Sequence, residues 1–233
     1  MKRLYLFILG LLWWLTDPAS VIQADTEIHP ALESLQPISS RTAESAQGQV
    51  YPFGLNENPL LPVGFSPEGL FAYVLDYANG GCGYCPQVVV TNLLNDEEVA
   101  EQLYVGEFDK AQASALLFGW GIQDLADKKM RLFPAEINGD HYQSWIRDGK
   151  LWLSSRRRGQ KQVADLGTLQ DTLVARKRSD ILIEGFLVSP FEERIVILLS
   201  GLYLGFEGET DLHYFTVGAH LDKGFAPDGN QNR

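Results

Sequence analysis

Cysteine is nearly absent from this chain: Cys82 and Cys85 are the only two in 233 residues. That count excludes a disulfide-dense mini-protein, whose small core depends on several crosslinks. Basic side chains are also in short supply, 19 against 30 acidic ones, giving a formal net charge of −11. A nucleic-acid binder needs a basic surface to displace counterions from phosphate, so that class is set aside. Apart from the N-terminal run, no apolar stretch approaches the roughly 20 residues that a helix needs to cross a hydrocarbon core. A Gly-x-Ser-x-Gly elbow, a phosphate-cradling glycine loop and a dinucleotide fingerprint are all missing, so no enzyme class is selected and no cofactor is expected. What the chain does have is apolar side chains, 45% of residues. At this length that suffices for the core of one domain or two small ones, and it excludes a disordered chain.

The N-terminus reads as an address. Met1-Lys2-Arg3 is followed by a non-polar run from Leu4 to Leu15 and a polar boundary at Thr16-Asp17-Pro18. A short basic segment, a 12-residue apolar segment and that boundary match a secretory signal peptide. The run is too short to span a bilayer, though an uncleaved anchor or a core helix is the bland alternative. Small residues at Ser20 and Ala24 offer cleavage points, with Ala24 favoured, so residues 1–24 are expected to be removed. Losing Lys2, Arg3 and Asp17 takes the net charge from −11 to −12. The expected product is exported, periplasmic or secreted, and has no stable membrane span.

Residues 25–50 are rich in Ser, Gln, Glu, Ala and Thr and read as a flexible lead-in. A single β-rich domain is expected over 51–225, and a frayed tail over 226–233. Within the domain, Leu70–Leu75, Gln87–Leu94, Leu151–Ser155, Ile181–Ile183, Arg194–Leu199 and Leu212–Val217 carry strand signals. The first two pair as a hairpin connected through Ala78–Pro86. One Ala-rich helix lies between Glu107 and Trp120, with Phe108, Ala111, Ala115, Leu116 and Gly119 at helical spacing. An internal echo links Gly64-Phe65-Ser66-Pro67-Glu68-Gly69 to Gly185-Phe186-Leu187-Val188-Ser189-Pro190-Phe191-Glu192. Each leads through Ser-Pro turn chemistry into an apolar strand.

The unit Phe65-Ser66-Pro67-Glu68-Gly69-Leu70-Phe71-Ala72-Tyr73-Val74, with Val88-Val89-Val90-Thr91-Asn92-Leu93 after it, resembles the repeat of WD40-like and TolB-type β-propellers. The wider layout is similar to small bacterial families of secreted proteins of unknown function. Blades take ~40–45 residues each, so residues 25–233 hold at most about five, and the helix fits no repeat. The expected fold class is therefore α+β, mainly antiparallel β with blade-like hairpins and one Ala-rich helix, rather than a complete propeller.

Chemistry concentrates in Gly80-Gly81-Cys82-Gly83-Tyr84-Cys85-Pro86. Cys-Gly-Tyr-Cys is similar to the active-site motif of exported thioredoxin-fold isomerases, in which a helix following the motif lowers the thiol pKa. Here the β-branched run Val88–Val90 is a poor helix former. The favoured reading is a structural disulfide between Cys82 and Cys85 in an oxidising compartment. A redox pair, with Cys82 as nucleophile and Cys85 as resolving thiol, is the second reading. Metal binding ranks lower, because His29, His141, His213 and His220 show no paired ligand spacing with the cysteines. Glu207, Glu209 and Asp211 form a weak calcium candidate without the usual calcium-loop spacing. Arg156-Arg157-Arg158 to Lys161, with Arg176-Lys177-Arg178, is the one basic concentration; it reads as a solvated hairpin that discourages edge pairing, or as an anion-facing patch. Trp120, Trp145 and Tyr142 are aromatics that could line a ligand surface or simply pack. Together these features describe an exported, non-catalytic binding or structural module with an unknown protein or small-molecule ligand. A thiol-disulfide oxidoreductase is the alternative.

Overall fold

The computed structural model describes residues 27–38, 55–57, 59–75, 85–125, 128–167, 181–204 and 210–226. The expected signal at 1–24, much of the lead-in, and the tail beyond Ala226 lie outside them. The strands are β1 (Leu55–Glu57), β2 (Leu60–Phe65), β3 (Leu70–Leu75), β4 (Gln87–Asn92), β5 (Glu97–Leu103), β6 (Gln123–Asp124), β7 (Ala135–Ile137), β8 (Asp140–Arg147), β9 (Lys150–Ser155), β10 (Gly159–Asp165), β11 (Leu182–Val188), β12 (Arg194–Leu204) and β13 (Thr210–His220). One α-helix among the described residues, α1 (Lys110–Gly119), joins them.

Three open sheets result. The first runs β5-β4-β3-β2-β6, the second β1-β13-β12-β11, and the third β10-β9-β8-β7. Pairing is antiparallel throughout except for β1 beside β13. The fold is therefore mainly antiparallel β with one helix, and the described residues form no closed propeller.

The layers follow from where apolar side chains alternate. On β3, Leu70, Ala72 and Val74 face a cluster with Ala113 and Leu117 of α1 and with Ala31 and Leu32. Phe71, Tyr73 and Leu75 face the other way, toward Val196 and Leu198 of β12. On β12, Ile195, Ile197 and Leu199 in turn meet Leu151 and Leu153 of β9 and Tyr142 of β8. The order is helix, first sheet, second sheet, third sheet. β3 is buried at all six positions, as is β12 from Arg194 to Ser200. A strand covered on both faces reads as an unbroken apolar run, which explains why Leu70–Leu75 and Ile195–Leu199 lack polar alternation. Each fully buried Leu, Ile or Phe contributes about 1.5–3 kcal/mol over leaving it exposed, so these two strands anchor the stack. From the segment expected as a lead-in, Ala31 and Leu32 enter the helix-side cluster.

The helix falls within the expected span, starting three residues after Glu107 and ending one before Trp120. Asp109 caps it, its Oδ1 accepting from the amides of Ala111 and Gln112 at 3.0 Å, which satisfies two otherwise orphaned donors. Its buried face is Ala113, Ser114 and Leu117. Among the residues expected on that face, Ala115 and Gly119 are exposed instead. A helix this short and apolar nearly all round gives periodicity little to select on. The face is fixed by tertiary contacts: Ser114 Oγ donates to Lys110 O and accepts from the amide of His29 at 2.8 Å.

The two Ser-Pro units adopt similar turns. Ser66 Oγ accepts from the amides of Glu68 and Leu70 at 3.2 Å, and Ser189 Oγ accepts from that of Phe191 at 3.3 Å. Each serine joins adjacent antiparallel strands, β2 to β3 and β11 to β12. β3 also pairs with β4 as expected, Leu70 opposite Asn92 and Leu75 opposite Gln87. In the third sheet, Asn138-Gly139 and Asp148-Gly149 take positive φ at both positions, 51° and 72°, then 52° and 71°. These are two-residue hairpin turns that match the strand twist.

Candidate functional site

The cysteine loop is only partly described. Cys85 is buried, 1% exposed, and disulfide-bonded; Cys82 lies outside the described residues. After Cys85 come Pro86, whose carbonyl accepts from the amide of Tyr104 at 2.9 Å, and then strand β4. The helix that a thioredoxin-type thiol relies on does not follow. Of the calcium candidates, Glu207 and Glu209 fall outside the described residues, and Asp211 is half-buried on β13. Among the described residues no group of three His, Cys, Asp or Glu is placed to hold a metal.

The histidines are dispersed. His29 is buried, Nδ1 accepting from the amide of Ala31 and Nε2 facing Ile122 O at 2.9 Å. These partners put a ring proton on Nε2 and leave Nδ1 as the acceptor. His141 is exposed beside Glu136. His213, on β13, is held below the usual imidazole range by burial, against the pull of Asp211.

The basic run is partly consumed by structure. Arg156–Arg158 form the exposed turn between β9 and β10. Arg158 Nη1 donates to the Tyr142 hydroxyl at 3.1 Å and to Leu221 O. Lys161 donates to His220 O and to Lys223 O, and sits 4.5 Å from the Phe225 ring centre; burial brings its pKa down to about 8. These side chains fasten the C-terminal segment rather than presenting a free basic surface. Arg176–Arg178 lie outside the described residues.

The expected aromatics separate. Tyr142 is core, 2% exposed, its hydroxyl donating to Leu221 O at 3.2 Å. Trp120 is exposed at the helix C-cap. Trp145 stands directly opposite Trp152 across β8 and β9, on the face of the third sheet turned away from the core, since the alternate residues Tyr142, Leu151 and Leu153 point inward. Both indoles are half-buried. They line a cleft of about 290 Å³ with Arg147, Asp148, Lys150 and Gln160. A second cleft of about 320 Å³, with Phe133, Pro134, Gln143 and Ser144, flanks Trp145 on its other side. Around the indoles the sheet sets rows. Gln143, Ser154 and Gln160 are in register on one side, and Arg147, Lys150 and Asp165 on the other. Aromatic faces ringed by a few polar groups are the usual make-up of a recognition surface.

A second constellation is ionic and centred on one buried arginine, and the sequence did not single it out. Arg194, 2% exposed, heads β12. Its Nη2 donates to Glu192 Oε2 at 3.1 Å and to His220 Nε2 at 2.8 Å. Its Nε lies 3.0 Å from Glu192 Oε1, within ion-pair reach but off hydrogen-bond alignment. As His220 Nε2 accepts, the ring proton is assigned to Nδ1, 3.5 Å from Asp222 Oδ1. Burial, Arg194 and Lys223 hold His220 below the usual imidazole range, against Glu192 and Asp222. Asp96, in the β4–β5 turn at φ 58°, accepts from the amide of Gly218 at 2.6 Å. Burial pushes its pKa up to about 6, opposed by that hydrogen bond and by Arg194. Gly69 and Gly218 make room: a Cβ on the first would lie 2.6 Å from Arg194 Nη1, and on the second 2.1 Å from Leu93 O. The cluster ties the turns of the first sheet to the second.

No protein-family model matches this chain, and no curated protein sequence does.

Proposed function

We propose that the chain is an exported, non-catalytic binding module of the cell envelope or secreted space, and that its binding surface is the outer face of the third sheet. The observation that carries this reading is the opposed Trp145–Trp152 pair, half-buried and lining a cleft on a face turned away from the core. Burying indole faces in a partner is more favourable than leaving them in water, and a rigid sheet presents them at little entropic cost. The signal-like pattern at 1–24 supports a site of action outside the cytoplasm. There Cys85 pairs with Cys82, the chain's other cysteine, as a structural crosslink. The propeller-like resemblance remains at the level of the hairpin unit.

The thiol-disulfide reading is weaker because a strand, not a helix, follows Cys85. One experiment separates the two. The mature chain is sedimented with cell-envelope material of its source organism and, in parallel, assayed for insulin reduction. Co-sedimentation lost in Trp145→Leu/Trp152→Leu, with no reductase turnover, is the expected result. Turnover abolished by Cys82→Ser, or co-sedimentation indifferent to both tryptophans, contradicts it.

A further inference from the structure

We infer that the occupant of the Trp145–Trp152 face is an uncharged saccharide chain lying across the strands. The inference rests on the binding-module reading and adds the ligand class. Trp145 and Trp152 are direct neighbours on adjacent strands, and Gln162 of β10 continues the same row opposite Trp152. Strands lie about 4.8 Å apart, close to the length of one pyranose unit in a linear glycan. Successive sugars crossing the strands therefore meet Trp145, Trp152 and Gln162 in turn. The C–H face of a pyranose is apolar and slightly positive, and it settles on the negative face of an indole.

The flanking rows fit hydroxyl groups, which both donate and accept. Gln143 and Gln160 carry amides able to do the same, and Arg147 and Lys150 donate from the other side. Local charge is offset: Arg147 Nε is 3.4 Å from Asp148 Oδ2, and Lys150 is in register with Asp165. An anionic glycan gains little from so balanced a rim, and the chain's net charge of −11 repels it at longer range. An extended peptide is served less well, because it docks on exposed sheet edges through backbone hydrogen bonds, and this is a sheet face. The second cleft, beyond Trp145, gives the chain room to extend toward Pro134.

The test is calorimetric titration of the mature protein with cellohexaose, maltohexaose and chitohexaose. At least one should bind, with Trp145→Leu and Trp152→Leu each weakening it about tenfold or more. Leucine keeps the apolar cover while removing the aromatic face. Gln143→Ala and Gln160→Ala, at exposed positions where folding is not at stake, should each weaken binding about threefold. Affinity should change less than about twofold when sodium chloride is raised tenfold, since no net charge is neutralised. Absence of binding by all three at about 10 mM, corresponding to a free energy weaker than that of millimolar ligands, overturns the inference. So does binding that survives the tryptophan and glutamine variants, or binding that collapses with salt. If the saccharides fail while envelope co-sedimentation still depends on Trp145 and Trp152, the ligand class falls and the binding module stands; if co-sedimentation is indifferent as well, both fall.

Discussion

At the scale of single residues, the half-buried Asp96 sets the clearest expectation. Its pKa is raised to about 6 from 3.8 by burial, so the folded state holds the proton more tightly than the unfolded chain. The stability that this group contributes is complete below pH 3.8 and is lost as pH rises through about 6; keeping it ionised at neutral pH costs about 3 kcal/mol. Asparagine keeps an acceptor for the Gly218 amide and tolerates the left-handed backbone at this turn. Urea unfolding should therefore show Asp96→Asn more stable than the parent at pH 7 by roughly 2–3 kcal/mol, with the gap closing near pH 4. An Asn variant less stable at pH 7 would mean that the Arg194 attraction outweighs desolvation. His220 acts in the opposite sense. With its pKa held below 6.5, its contribution is complete above that pH and is lost as pH falls through the lowered value. The double variant Asp96→Asn/His220→Gln should thus have the flattest stability profile between pH 4 and 7. At the helix start, Asp109→Ala removes an acceptor for two amides and should cost about 1 kcal/mol in the same assay.

At the scale of elements, the legible parts were those whose local chemistry agrees with their tertiary use. β3, β4, β9, β12 and β13 each coincide with an apolar or β-branched run, β11 overlaps its expected run only at Leu182 and Ile183, and the Ser-Pro units do form turns between paired strands. β5 and β10 escaped because they are polar, Glu97–Leu103 and Gly159–Asp165, and take their strand state from a neighbour rather than from their own side chains. β8 escaped for a different reason. Asp148-Gly149 is among the strongest short hairpin signals, and a two-residue turn there puts Trp145 opposite Trp152 without further information. That pair was legible, although Trp145 alone drew notice as an exposed aromatic. The Arg194 cluster was not legible. Asp96, Glu192, Arg194 and His220 lie up to 124 positions apart: the β12–β13 register sets Arg194 opposite His220, and the packing of the second sheet on the first adds Asp96. Gly218 marks that packing: its Cβ position is 2.1 Å from Leu93 O. Gly218→Ala should therefore separate the β4–β5 turn from β13 and lower stability by about 1–3 kcal/mol, read as a fall in urea midpoint at unchanged slope.

At the scale of the whole molecule, the stack of one helix and three sheets divides labour. β3 and β12 carry the core on both faces, the ionic cluster joins the first two sheets, and the third sheet has one face in the core and the other bearing the paired tryptophans. The proposed Cys82–Cys85 crosslink would close a ring of only four residues, so its loss should be modest, roughly 2 kcal/mol from chain entropy. Cys82→Ser/Cys85→Ser should accordingly melt a few degrees lower while keeping its circular dichroism; loss of the fold would assign the loop a larger role. The proposed partner surface is the outer face of the third sheet. Hydrogen–deuterium exchange of the mature chain, free and bound to envelope material, tests it most directly. Slowed exchange is expected to concentrate in residues 140–165, across β8, β9 and β10, with β3 and β12 unchanged. Protection confined to the segment around Cys85 and β4, with 140–165 unaltered, would contradict it.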